Sequence, residues 1–121
     1  MSDYETSYEA AGHEGPIQLE FVDPPALNGA EVEWTYRTIG GRTAPSGTVV
    51  AQIVVTSHDH RILGGGTTTL HGDLGPHDIG GARFSPRQYT RDDGDYYLSI
   101  TIGDDVRYVP YRINDGQVRA T

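Results

Sequence analysis

Along most of the chain apolar and polar residues alternate with period two, the period of a half-buried strand. Ile17, Leu19 and Phe21 alternate with Gln18 and Glu20. Val32, Trp34 and Tyr36 alternate with Glu31, Glu33, Thr35 and Arg37, the cleanest strand pattern present, and this places the single tryptophan on the core side. Near the C-terminus Tyr96, Leu98, Ile100 and Ile102 share one face, and Val106 to Ile113 is expected to pair back on them. Thr48 to Thr56 is an almost unbroken β-branched, apolar run, which predicts a central strand buried on both faces. Ala82, Phe84 and Tyr89 mark an irregular strand broken by Pro86, as suits a sheet edge. No segment keeps a helical period over more than two turns.

Turn residues punctuate these runs at Asp23-Pro24-Pro25, Asn28-Gly29, Gly40-Gly41, Ala44-Pro45-Ser46-Gly47, Asp92-Asp93-Gly94, Gly103-Asp104 and Asn114-Asp115-Gly116. The last of these is expected to leave only a short tail. Gly64-Gly65-Gly66 reads as a flexible break before a short edge strand, Thr67 to Leu70. His71 to Gly81, rich in Gly, Asp, His and Pro, reads as a long loop. About seven strands at this spacing predict an all-β fold, an antiparallel β-sandwich. Residues 1–15 lack such patterning and read as a flexible acidic arm, leaving 16–121 as the sandwich domain.

Two stretches resemble immunoglobulin-like domains of the fibronectin type III and microbial adhesion kind. One is Pro16 to Ile39, where a strand, a proline-containing link, Asn-Gly and the tryptophan strand follow in order. The other is Asp93-Gly94-Asp95-Tyr96-Tyr97-Leu98-Ser99-Ile100-Thr101-Ile102, which is similar to the Gly-x-Tyr-x-Leu-x-Val strand near the end of such domains. The resemblance covers about half the chain. It implies an immunoglobulin-like sandwich that binds, spaces or decorates more often than it catalyses.

Composition narrows the chemistry. With no cysteine, disulfides, thiolate catalysis and cysteine-ligated metals are excluded. The net charge is −8, opposite in sign to a nucleic-acid-binding surface, and all nine basic residues are arginine. A lysine-free acidic chain fits either GC-rich codon usage or adaptation to high salt, and charge alone leaves both open. The acidic start Met1-Ser2-Asp3-Tyr4-Glu5 lacks the basic and apolar regions of a signal peptide, and no run has the length of a membrane span. The expected location is the cytoplasm, with incorporation into a virion or other particle as the route out.

Four of the five histidines fall between His58 and His77. His58 and His60, two apart, would share one face of a strand, and with His71, Asp73 and His77 they form the candidate metal set, although the spacing matches no ligand signature. Protonation of surface histidines below about pH 6.5 would also alter an interface. Asp92-Asp93-Gly94-Asp95 resembles part of a calcium loop but lacks the later glutamate, so a hairpin turn is the expectation. Gly64 to Thr69 lacks the lysine and helix of a phosphate cradle, and no serine sits in a nucleophile elbow. No catalytic residue and no cofactor is expected.

The function expected is therefore a non-enzymatic structural or protein-interaction module of a larger assembly, such as a virion decoration, capsid or tail component. Tyr4 and Tyr8 would dock the arm on a neighbouring subunit. The alternative is a ligand-binding or adhesion domain holding a glycan or metal ion with the end loops Arg42–Gly47 and His71–Gly81. That reading needs Tyr89, Tyr97, Tyr108 and Tyr111 to line one open face.

Overall fold

The computed structural model describes residues 16–121. Tyr4, Tyr8 and the rest of the proposed arm lie outside the described residues. Nine strands form two antiparallel sheets: β1 (Leu19–Phe21), β2 (Ala26–Asn28), β3 (Glu31–Thr38), β4 (Val49–Ser57), β5 (Ile62–Thr69), β6 (Gly80–Phe84), β7 (Gly94–Ile102), β8 (Asp105–Asn114) and β9 (Gln117–Ala120). The smaller sheet is built on β3, with β1 and β2 on one edge and β6 on the other; the larger runs β5-β4-β7-β8-β9.

The predicted sandwich is thus present, with two strands more than expected. Asp23-Pro24-Pro25 divides one edge into β1 and β2, because a proline pair cannot keep up the ladder. The anticipated tail is β9, which turns at Asp115-Gly116, both with positive φ, and pairs Val118 with Ile113. Among the described residues no helix is long and apolar enough to cross a membrane.

The core is what the alternation predicted. Val32, Trp34 and Tyr36 of β3 face Leu98, Ile100 and Ile102 of β7 and Val109, Tyr111 and Ile113 of β8, and all are buried. Burying such side chains stabilises the fold by about 1.5–3 kcal/mol each before entropy is counted. β4 differs from expectation. Val50, Ile53 and Val55 are buried, but Val49 and Gln52 are exposed and Val54 and Thr56 only half-buried, so one face of this apolar strand lies open.

The glycine run is also not a break. Gly64 to Gly66 lie within β5, the edge of the larger sheet, where Tyr89 takes the space beside Gly64 and the Ile53 carbonyl that beside Gly65. A methyl at Gly64 would sit 2.5 Å from the Tyr89 ring. Tyr89 follows a 3-10 turn at Pro86–Gln88 rather than lying in a strand. Its ring stacks on Phe84 of β6 and its hydroxyl donates to Gly65 O at 3.0 Å, so it ties the edges of the two sheets together. The expected edge position of the Ala82–Phe84 strand is as found.

Beneath Tyr89 a buried chain of hydroxyls fixes the crossover from β6 to β7. Thr90 Oγ1 donates to Pro86 O at 2.8 Å, which leaves Tyr111 to donate to Thr90 at 3.0 Å. Burial pushes the Tyr111 phenol above its ordinary pKa, and Tyr96 stacks on its ring. The Asp92-Asp93-Gly94 turn belongs to this inter-sheet crossover, not to a hairpin, since β7 pairs with β4 and β8. Tyr96 donates from its hydroxyl to Asp92 O at 2.7 Å. Asp93 accepts from the backbone N–H groups of Asp115 and Gly116 at 3.2 and 3.3 Å, clasping the β8–β9 turn.

Candidate functional site

The histidines are not assembled. His58 and His60 lie in the turn between β4 and β5, where His60 takes a φ of 67°, so the shared strand face expected for them does not form. That turn is organised by other groups: Ser57 Oγ donates to Asp59, and Ser57 N donates to Arg61 O at 2.9 Å. The Ser57 hydroxyl, with Arg61 and His58 nearby, holds the Asp59 carboxyl below its usual range. His71 and His77 are exposed on the loop between β5 and β6. Among the described residues no group of three or more histidines, aspartates or glutamates is placed to hold a metal ion.

The two end loops hold each other rather than an open pocket. Ala44 and Leu74, both buried, exchange backbone hydrogen bonds at 2.8 Å each. Asp73, one of the candidate metal ligands, accepts from Ser46 N at 2.9 Å, and Asp78 accepts from Gly75 N at 3.0 Å. Both aspartates cap loop backbone. Nor do the four tyrosines line one face. Tyr111 is in the core, Tyr89 bridges Gly65 of β5 and Phe84 of β6, and only Tyr97 and Tyr108 share an open surface.

That surface is the outer face of the larger sheet. Strand register lays out three rows across β5, β4, β7 and β8. They are Ile62-Thr56-Tyr97-Pro110, Gly65-Val54-Ser99-Tyr108 and Thr67-Gln52-Thr101-Val106. None of these twelve positions is charged, in a chain where 21% of residues are. Ile62 and Tyr108 are each 70% exposed, Val106 41% and Tyr97 38%. Tyr97 opposes Pro110, so Tyr108 is its diagonal neighbour, within reach of an aromatic ring. The His60 ring lies parallel to Tyr97 with centroids 6.3 Å apart, extending the patch at one end. Charge returns only in the next row, where Asp95 binds Arg112 at 2.7 Å and Arg112 opposes Arg119. The sequence does not show this face, because an apolar run such as β4 predicts burial on both sides.

A second feature lies at the other edge of the sandwich. A cavity of about 1220 Å³ runs between β5 and β6, with Trp34, Tyr36, Val50, Thr68, Leu70 and Ala82 among its lining residues. Trp34 Nε1 and Thr68 Oγ1 are fully buried and have no hydrogen-bond partner among the described residues. Each such group costs about 1–3 kcal/mol while unpaired.

Comparison with known protein families and with curated proteins finds no match to this chain, so its function has to be argued from these surfaces.

Proposed function

We propose that this domain is a non-enzymatic structural module that works by packing copies of itself through the outer face of the larger sheet. The observation that carries this is the charge-free array of twelve positions around Tyr97 and Tyr108. A chain of net charge −8 repels its own copies, and the repulsion is least where two neutral faces meet. Four strands about 4.8 Å apart and three rows about 6.8 Å apart give a footprint of about 400 Å² per copy. Two copies then bury roughly 800 Å², below the roughly 1,200 Å² of stable pairs. A face of this size suits a weak contact repeated many times, as in a multi-subunit assembly. The narrower reading is a particle component such as a virion decoration, capsid or tail subunit, made in the cytoplasm, with Tyr4 and Tyr8 adding a second contact. The dispersal of the histidines on separate exposed segments supports a non-enzymatic role.

An immunoglobulin-like identity is supported by two features. β3 lies between β1/β2 and β6, as strand B lies between A and E, and β4-β7-β8 follows the order C-F-G. The Tyr96 hydroxyl, near the start of β7, returns to the backbone four residues upstream, as in a tyrosine corner. Trp34 stands on β3, the counterpart of strand B, rather than on β4, the counterpart of strand C, and there is no cysteine pair, which departs from antibody domains.

Sedimentation over a concentration series tests the proposal. Reversible self-association should strengthen as salt rises, because screening removes the mutual repulsion. Tyr97→Asp with Tyr108→Asp should abolish it while leaving the melting temperature nearly unchanged. A monomer at all concentrations and salts would overturn the reading.

A further inference from the structure

We infer that the cleft between β5 and β6 is a binding site for an extended peptide from another protein, with an uncharged amide-bearing centre and basic flanks. This site is separate from the self-packing face and stands without it. β6 pairs only with β3 among the described residues, so alternate backbone N–H and C=O groups along its other edge are open for a further strand. The same strand lines the cavity through Gly81, Ala82 and Arg83. Its five residues span about 17 Å, the length of a short added strand.

The interior sets the centre of the ligand. Trp34 Nε1 only donates, so it needs an acceptor, and Thr68 Oγ1 does either. Val50, Leu70 and Ala82 of the same lining are apolar and wholly or partly buried, so a carboxylate or ammonium set among them would be stripped of water. An uncharged carboxamide, of glutamine or asparagine type, offers a carbonyl to the indole and a donor to the hydroxyl. Trp34 and Thr68, the two residues with a buried unpaired group, both line this one cavity, which is why a single ligand is inferred.

The rim sets the flanks. Asp23 and Glu33 are among the lining residues, where they accept from Thr35 Oγ1 and Asn28 Nδ2, and the lining's one arginine, Arg83, already has Glu31 at 3.9 Å. With a chain of net charge −8 behind it, this rim favours cations and disfavours both a second copy and the acidic residues 1–15.

Trp34 is the only tryptophan, so its indole N–H gives one side-chain NMR signal at the centre of the site. The test titrates the full chain with acetyl-Lys-Thr-Gln-Val-Lys-amide and follows that signal with the amides of Gly80 to Phe84. Saturable shifts of both are expected, in the micromolar-to-millimolar range, weakening as salt rises. Thr68→Val should bind the probe about threefold to tenfold more weakly, the worth of one hydrogen bond, while the free protein becomes no less stable. Replacing the probe's glutamine by leucine, which removes both hydrogen bonds, should weaken binding about tenfold to a hundredfold, and Tyr108→Asp should not affect it. Unmoved signals in folded protein, or equal binding of the leucine probe, would overturn the inference. So would a shift produced by deleting residues 1–15 and not by the probe, since the arm would then be the occupant.

Discussion

Tyr111 shows how one buried hydroxyl couples packing to pH. It is fully enclosed, donates to Thr90 and has a raised phenol pKa caused first by desolvation. A raised folded-state pKa means stability is intact below the ordinary phenol range and is lost as pH climbs above about 10, where the unfolded chain ionises first. Tyr111→Phe should cost about 1 kcal/mol at neutral pH through the lost hydrogen bond. It should also flatten the alkaline loss of stability, with Tyr36 and Tyr96, both also raised by burial, supplying the remainder. Urea unfolding at neutral and alkaline pH measures both effects. Gly64 and Gly66 make a second residue-scale pair. Gly64→Ala drives a methyl into the Tyr89 ring and should cost about 1–3 kcal/mol, the usual range for overpacking. At Gly66 the nearest atom is the Tyr89 hydroxyl, at an ordinary 3.7 Å, so Gly66→Ala should be tolerated. Equal effects of the two would mean that Tyr89 does not set the glycine requirement.

At the scale of elements, local pattern told most where one strand face is covered and the other wet. β3 and β7 follow their alternation residue for residue, which is why Trp34 and Leu98 were legible as core, whereas β8 turns Val106, Tyr108 and Pro110 outward and lays Arg107 over Phe21. The failures have non-local causes. Gly64 is there for Tyr89, twenty-five residues further along, and Gly65 for the backbone of Ile53 on β4, and nothing in the run itself says so. β9 has one half-buried apolar residue, Val118, too little for a period-two signal. The candidate metal ligand Asp73 was read as a chemical group, whereas its carboxylate caps Ser46 in a neighbouring loop. Asp93 does similar work between elements. Asp93→Ala should free the β8–β9 turn from the crossover, speeding amide exchange at Asp115 and Gly116 and costing about 1 kcal/mol. Unchanged exchange there would show that the clasp has no part in holding β9.

For the whole molecule, the most informative discrepancy is β4. Its apolar run was read as a strand covered on both sides, and the folded monomer covers one. The open side continues across β5, β7 and β8 as the charge-free face, so the composition of β4 matches burial completed by another copy. The two proposed surfaces differ in their response to salt: packing on the neutral face strengthens as repulsion is screened, while a basic peptide on the cleft rim is weakened. Backbone amide NMR over a dilution series, at high salt, tests the self-packing claim most directly. Concentration-dependent shifts are expected at Ile62, Val54, Tyr97, Ser99, Thr101 and Tyr108, with β1, β2, β3 and β6 unaffected. Shifts centred on the smaller sheet, or none at any concentration, would contradict it.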